Sequence, residues 1–404
     1  MASGAARASA SAPAARSSRR RGVDLSLSEE QQLLKQGVED FVAREASLEA
    51  VIELTDSDLG YSPEHYARVA ELGWLGAAIP EQYGGAGLGL TDAAVLFEAF
   101  GYAALPGPFI SSGVVSALIV EEAGSEEQRA ELLPRIASGQ AIAVLALTEP
   151  GYGWGPEGVH MRAGSSNGDY VLDGVKLFVH DAIGATHLIT PVRTGDDGAL
   201  ALLVVDASAP GVSVRRLQGF TGSECVVRFE GVRVPVSAAI GDGGAVGEAL
   251  DRALTKAAPV LSAYQVGGGQ AAFEMAVDYS RERRQFGQPI GRFQHVQNHI
   301  IQLVNHVDAA RWTTYEALWR HDSGKPGFEV ASHLAKAVTS EGFVHAVNYS
   351  HEVHAGVGVM HEYGLTLYTT LSRSLYHQLG SPRYHRGRLA DLLVDHDLGP
   401  DPLD

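Results

Sequence analysis

The sequence predicts an α+β protein in three consecutive parts, with helices first, a block of short strands next and helices again at the end. Three observations predict it. Apolar residues recur by threes and fours from Ser28 onward, the pattern changes to short alternating or continuous apolar runs between Ala141 and Ile240, and helical spacing returns after Gly241. A chain of 404 residues exceeds one ordinary core and fits two or three packed domains. The expected divisions are a tail over 1–23, an N-terminal helical domain over 24–140, a β domain over 141–241 and a C-terminal helical domain over 242–404.

The first 22 residues are rich in Ala, Ser and Arg and contain no acid, a composition shared by transit peptides and disordered tails, and a plain disordered tail is the favoured reading. Arg19, Arg20 and Arg21 suggest a twin-arginine export signal, but polar residues follow where an apolar stretch is required, so a cytoplasmic location is expected. Ser28, Glu29 and Glu30 read as a helix cap with acids in the first turn, ahead of Leu33, Leu34, Val38, Phe41 and Val42 at helical spacing. The glycine-rich stretch Pro80 to Leu90 predicts a loop, since it lacks the Gly-Lys-Ser/Thr ending of a phosphate cradle. Helices are expected again around Ala93 to Ala103 and Ser125 to Ser138. Strands are expected in IAVLAL, residues 170–172, HLITPV, ALALLVVD, VSVRRL and CVVRFEGVRVPV, punctuated by turns such as Asn167-Gly168 and Pro210-Gly211. Val246, Leu250, Leu254, Ala257, Leu261 and Tyr264 then open a long helix, with further helices over Phe293 to His321 and Val330 to Ala355. Gly267 to Gly269 fall inside that long helix at about 1 kcal/mol each, implying either close contact with another helix or a break.

Composition narrows the function classes. With 45% hydrophobic residues and no apolar run near the ~18 that a membrane span needs, no spanning helix is expected. A formal charge of −17 argues against a broad nucleic-acid surface while leaving room for a local basic pocket. Cys225 is the only cysteine, which excludes an internal disulfide and a cysteine-based zinc site. His345, His351, His354, His361 and His377 crowd one region without metal-ligand spacing, so no metal is expected. The run Arg383 to Arg388 reads as a solvated face or an anion contact.

Five segments carry a resemblance. They are LALTEPG at 145–151, GVKLFVHDA at 174–182, VRVPVSAAIG at 232–241, RRQFGQPIGRFQHVQ at 283–297 and HAGVGVMHEYGLTLY at 354–368. In this order and spacing they resemble the acyl-CoA dehydrogenase family of flavoproteins, from Leu25 to about Leu393. The resemblance implies a helical domain, a β domain and a C-terminal four-helix bundle, with FAD as cofactor. A planar arginine fork suits a pyrophosphate, and Arg283 stands in the most specific of these segments, followed by Gln294 and Gln297 three apart in the next helix. Gly356 and Gly358 allow close backbone approach to the nucleotide. In the family, Arg283 and the Gly356 region serve the cofactor of a neighbouring subunit, which implies a homo- or hetero-oligomer. Thr148 is implied to donate a hydrogen bond to the isoalloxazine and Phe178 to cover it. His180, where the family usually has threonine, reads as a structural histidine or a partner of the reduced flavin. Trp154 is expected to narrow the thioester channel, and Glu352 stands where a glutamine usually touches the nucleotide.

The family's reaction needs a carboxylate base beside the substrate's α carbon. The resemblance implies two positions for it, and here they hold Leu379 and Ala257. The catalytic residue is therefore unassigned, with Glu362, Tyr363, Tyr368, Asp251 and Glu248 as weak substitutes. The implied activity is FAD-dependent α,β-desaturation of an acyl-CoA thioester, alone or as a base-lacking subunit of a heteromeric complex. Electron-transfer flavoprotein or another acceptor takes the electrons. A flavin-dependent oxidase or monooxygenase on the same fold is the alternative.

Overall fold

A computed structural model describes residues 25–219, 223–241 and 245–395. The tail and its arginine triplet lie outside the described residues.

The N-terminal part holds α1 (Glu29–Glu45), α2 (Leu48–Asp56), α3 (Pro63–Glu71), α4 (Leu90–Tyr102), α5 (Ala117–Ala123) and α6 (Glu126–Ala137). At the start of α1 the Ser28 hydroxyl accepts from the Gln31 amide at 3.1 Å while the Gln31 side chain accepts from the Ser28 amide at 3.0 Å, so two free helix-end donors are satisfied. Ser125 and Gln128 repeat this at α6. A wide π-type turn over Ser111–Ser116, wholly buried, leads into α5. Sequence periodicity missed this segment because Ile110 to Val120 is buried on every side, with no charged or exposed face to mark a period.

The β part holds β1 (Ala143–Leu145), β2 (Ala163–Ser166), β3 (Asp169–His180), β4 (His187–Thr194), β5 (Ala199–Asp206), β6 (Val212–Arg216), β7 (Glu224–Pro235) and β8 (Ala239–Ile240). They form two four-stranded sheets, ordered β1-β4-β5-β8 and β2-β3-β7-β6, that share one apolar core including Leu172, Leu188, Val192, Leu203, Val227 and Phe229. The short strand β2 is AlaGlySerSer, too polar for an alternating pattern. It pairs with β3 across the Asn167-Gly168 turn, where both residues take positive φ of 54° and 86°.

The last part holds α7 (Val246–Glu282), a two-residue hairpin of β9 (Arg284–Gln285) and β10 (Gln288–Pro289), then α8 (Gln294–Asp322), α9 (Phe328–His354), α10 (Leu365–Leu375) and α11 (Pro382–Asp395). The three glycines do not break α7; they mark a close crossing. A Cβ on Gly267 would stand 1.9 Å from the Glu98 carbonyl oxygen, one on Gly101 would stand 1.8 Å from that of Tyr264, and one on Gly268 would enter the Phe343 ring. The backbones of α4 and α7 touch, and one apolar core runs through both helical parts. Gly101→Ala is expected to lower stability by about 2–3 kcal/mol through overpacking, read as a shift in the urea midpoint. An unchanged midpoint would mean that the two helices slide apart at no cost.

Candidate functional site

Two features of β3 build the site. Lys176 is fully buried, and its Nζ donates to Glu149 Oε1 and to the Pro191 carbonyl, each at 2.7 Å. Glu149 also accepts from the backbone amides of His160 and Met161 at 2.9 and 3.0 Å. Burial alone would raise the Glu149 carboxyl, but the Lys176 ammonium overrides it and holds the group below its ordinary value. Thr148 is thereby pinned, its carbonyl accepting from the Leu177 amide at 2.8 Å. Beyond Lys176, β3 carries one residue more than its partner: Lys176 pairs with Val227 and Val179 with Cys225. This bulge reverses the alternation, since a regular strand that buries Lys176 would bury Phe178 as well. Phe178 instead has φ 51° and is 44% exposed.

Phe178 opens onto a cavity of about 970 Å³ between the β part and the C-terminal helices. Leu145, Leu147, Thr148, Phe178, His180 and Glu224 line it from the β side, and Arg373 with residues 376–381 from the helical side. Trp154 lines it too, with Nε1 so close to Gly380 that a Cβ there would lie 3.2 Å away. Leu379 contributes to the wall at φ 57°, and its carbonyl accepts from His385 Nε2 at 2.9 Å. Since that nitrogen donates, His385 Nδ1 accepts from His333 Nδ1 at 2.8 Å, and burial pushes these imidazoles down to about 2 and 4. The loop around Leu379 is thus held through its backbone.

His180 lies with Nε2 4.0 Å from Glu224 Oε1. Burial, with Lys336 adding to it, pushes His180 down to about 4, so the ring is neutral at pH 7. Burial likewise raises the Glu224 carboxyl, against the Ser374 hydroxyl that donates to it at 3.0 Å. A second chamber of about 240 Å³ adjoins the cavity, with Ser111, His180 and Gln378 in both walls. Asp181 stands in the wall of this chamber, accepting a hydrogen bond from the Ser111 hydroxyl.

The structure therefore brings together Thr148, Phe178, His180 and Trp154 but not the other expected cofactor residues. Arg283, Gln294, Gln297 and Gly356 are exposed on the helical surface, Gly358 is buried against His351 and His354, and none lines the cavity. Glu352 is exposed, and Ala355 takes a positive φ of 51° at the end of α9, a conformation suited to glycine. Ala257 is fully buried in α7, away from the cavity wall. The weak substitutes for the base do not line the site either. Asp251 is paired with Arg388 at 2.8 Å, the Tyr368 hydroxyl donates to the Tyr102 carbonyl at 2.6 Å, the Tyr363 ring packs on Tyr279 and His354, and Glu362 and Glu248 are exposed. In the basic run, Arg386 pairs with Glu341 and Arg388 with Asp251, so both are spent within the chain. Sequence reasoning missed Glu224, Asp181 and Ser111. Glu224 and Asp181 sit at strand ends, where an acid looks like any turn residue.

Family models for acyl-CoA dehydrogenases match residues 28–140 (N-terminal domain), 144–232 (middle domain) and 247–393 (C-terminal domain). The chain is 31% identical over 353 residues to the probable acyl-CoA dehydrogenase YngJ of Bacillus subtilis, covering 85% of this chain and 92% of that one. It is 31% identical over 358 residues to the acryloyl-CoA reductase (NADH) of Anaerotignum propionicum, covering 86% and 90%. Among solved structures it resembles the ChsE4-ChsE5 complex from Mycobacterium tuberculosis at 25% identity and a TM-score of 0.83, covering 93% of this chain and 100% of that one. Among the described residues no helix is long and apolar enough to cross a membrane. With all three domain models in register along the strand block and the two helical parts, the chain belongs to the acyl-CoA dehydrogenase family of FAD-dependent oxidoreductases acting on the CH–CH bond of acyl-CoA.

Proposed function

We propose that the chain takes part in α,β-desaturation of an acyl-CoA thioester, with FAD and thioester meeting in the 970 Å³ cavity. One observation carries this: Thr148, Phe178 and His180, distant in sequence from residues 376–381, line the same cavity with them. The residues fit an isoalloxazine. Phe178 presents an exposed ring at a backbone bulge, and the Thr148 hydroxyl makes no hydrogen bond among the described residues, leaving its proton to give. When bound, FAD supplies a two-electron acceptor for the β carbon. The chain's own residues position and shield: Phe178 covers the ring, Thr148 donates to it, neutral His180 offers a hydrogen bond without a charge, and Trp154 narrows the mouth for the thioester.

The α proton is another matter, because Leu379 and Ala257 have nothing to accept it with. A heteromeric assembly answers this, in which a second chain of the same family brings the glutamate. Two observations favour it: Arg283, Gln294, Gln297 and Gly356 face outward where they can serve a partner's cofactor, and the chain resembles the ChsE4-ChsE5 complex along nearly its whole length. An anaerobic visible spectrum of the chain alone, and then with a glutamate-bearing family member, tests both levels. Bleaching by acyl-CoA only in the mixture supports the heteromer; bleaching of the chain alone means a base within it. Flavin that no thioester bleaches, or oxygen consumed on adding thioester in a parallel aerobic run, turns the reading toward an oxidase or monooxygenase.

Arg283→Ala is expected to weaken FAD retention in the assembly by about 1.5–3 kcal/mol, the worth of a charged hydrogen bond, measured by titrating the apoprotein with FAD. An unchanged affinity would remove Arg283 from the cofactor site.

A further inference from the structure

The chamber beside the main cavity holds a carboxylate that no cation pairs with among the described residues. Asp181 takes one hydrogen bond, from the Ser111 hydroxyl to Oδ2, and no cation pairs with it among the described residues. Burial raises its carboxyl to about 6, which still leaves it mostly ionised above neutral pH. Among the described residues no lysine or arginine lines the chamber. Its two histidines do not supply the charge: His180 is neutral at pH 7, and His361 lies 3.6 Å from Asp56, a second carboxylate of the same wall. Lys336, whose amine burial pushes down to about 7, lies outside the wall, donating to Ser340 Oγ at 2.5 Å and the Leu375 carbonyl at 3.2 Å. The other titratable groups whose fields reach Asp181 or are felt from it, Tyr61, Tyr66, Tyr264 and Cys225, are all raised by burial and stay neutral.

The remaining wall is largely apolar, with Phe109, Ile110, Leu261, Leu367 and Leu371. At about 30 Å³ per water-sized group, 240 Å³ admits on the order of eight non-hydrogen atoms. A buried carboxylate without a cation is a standing desolvation cost that a cationic guest removes and an apolar guest does not.

We propose that this chamber receives the far end of a short acyl chain bearing a protonated amine, and that Asp181, oriented by Ser111, is the residue that selects it. This rests on the larger cavity being the thioester site. The apolar side chains hold the methylenes, and the amine replaces the solvent that Asp181 otherwise contacts.

The test is calorimetric titration of the FAD-loaded assembly with two CoA thioesters of equal length, one ending in an amine and the other in a methyl group. The wild-type protein is expected to bind the amine at least tenfold more tightly. In Asp181→Asn the ratio falls to near one, in Asp181→Leu the methyl thioester is preferred, and Ser111→Ala reduces the ratio less. A wild-type protein that binds both equally, or prefers the methyl thioester, overturns the proposal without any variant, as does a preference that survives Asp181→Leu. Binding of neither thioester to the wild-type protein fails the thioester reading itself and takes the assignment of Asp181 with it.

Discussion

Lys176→Met is expected to destabilise the protein by about 3–5 kcal/mol, because it leaves the Glu149 carboxylate buried without its cation. Glu149 is 6% exposed and Lys176 is fully buried, so water cannot take the place of either partner. The paired change Lys176→Met with Glu149→Leu should recover much of the loss, since the cost lies in the orphaned charge rather than in the absence of the bridge. Urea unfolding of the three variants measures this, and a single variant that loses less than about 1 kcal/mol would show that solvent reaches the pair. The sign of the acid dependence follows from the carboxyl being held low. Its stabilisation is complete above the ordinary value of 4.5 and is lost as the pH falls through the depressed folded-state value. Function goes with the fold here, because the same pair secures Thr148 beside Leu177.

Leu379→Glu is expected to raise the rate of thioester-dependent flavin bleaching by about 10²- to 10⁴-fold, the usual contribution of a positioned general base. The gain depends on a carboxylate emerging where the cavity meets the helical side, and the backbone there is fixed independently of the side chain: His385 donates to the Leu379 carbonyl, and φ is already 57°. Glutamate therefore inherits the conformation that leucine has. Stopped-flow spectroscopy of the FAD-loaded variant against the wild-type protein decides the matter. Bleaching unaltered by the substitution, with flavin and thioester both bound, would mean that the chain lacks something other than a base at this position.

The three-part layout was legible because each part has its own hydrophobic period, and no tertiary knowledge is needed to see the period change near Ala141 and again after Gly241. What escaped were elements without a period. Ile110 to Val120 is buried on all sides, and β2 is four small or polar residues whose pairing is set by the turn beside it. The triple glycine was legible as a choice between contact and break, and only the position of the Glu98 carbonyl resolves it. In the site, Thr148, Phe178 and His180 were reached through resemblance. Glu224 beside His180 comes from strand register, and Ser111 beside Asp181 comes from docking a helical turn onto the end of a strand. Neither pairing leaves a spacing in the sequence. The outward placement of Arg283 and Gln294 shows the same limit from the other side, since their spacing does not say whether they face the cavity or the surface.

The extra residue in β3 makes the cavity sensitive to how many residues the strand has, apart from which ones they are. Deleting Leu177 would restore regular pairing with β7 and remove the bulge at which Phe178 takes its positive φ, while every side chain named in the site was still encoded. Such a strand tolerates exchange of the side chains at 177 and 178 more readily than the gain or loss of one residue, because only the latter shifts its register against β7.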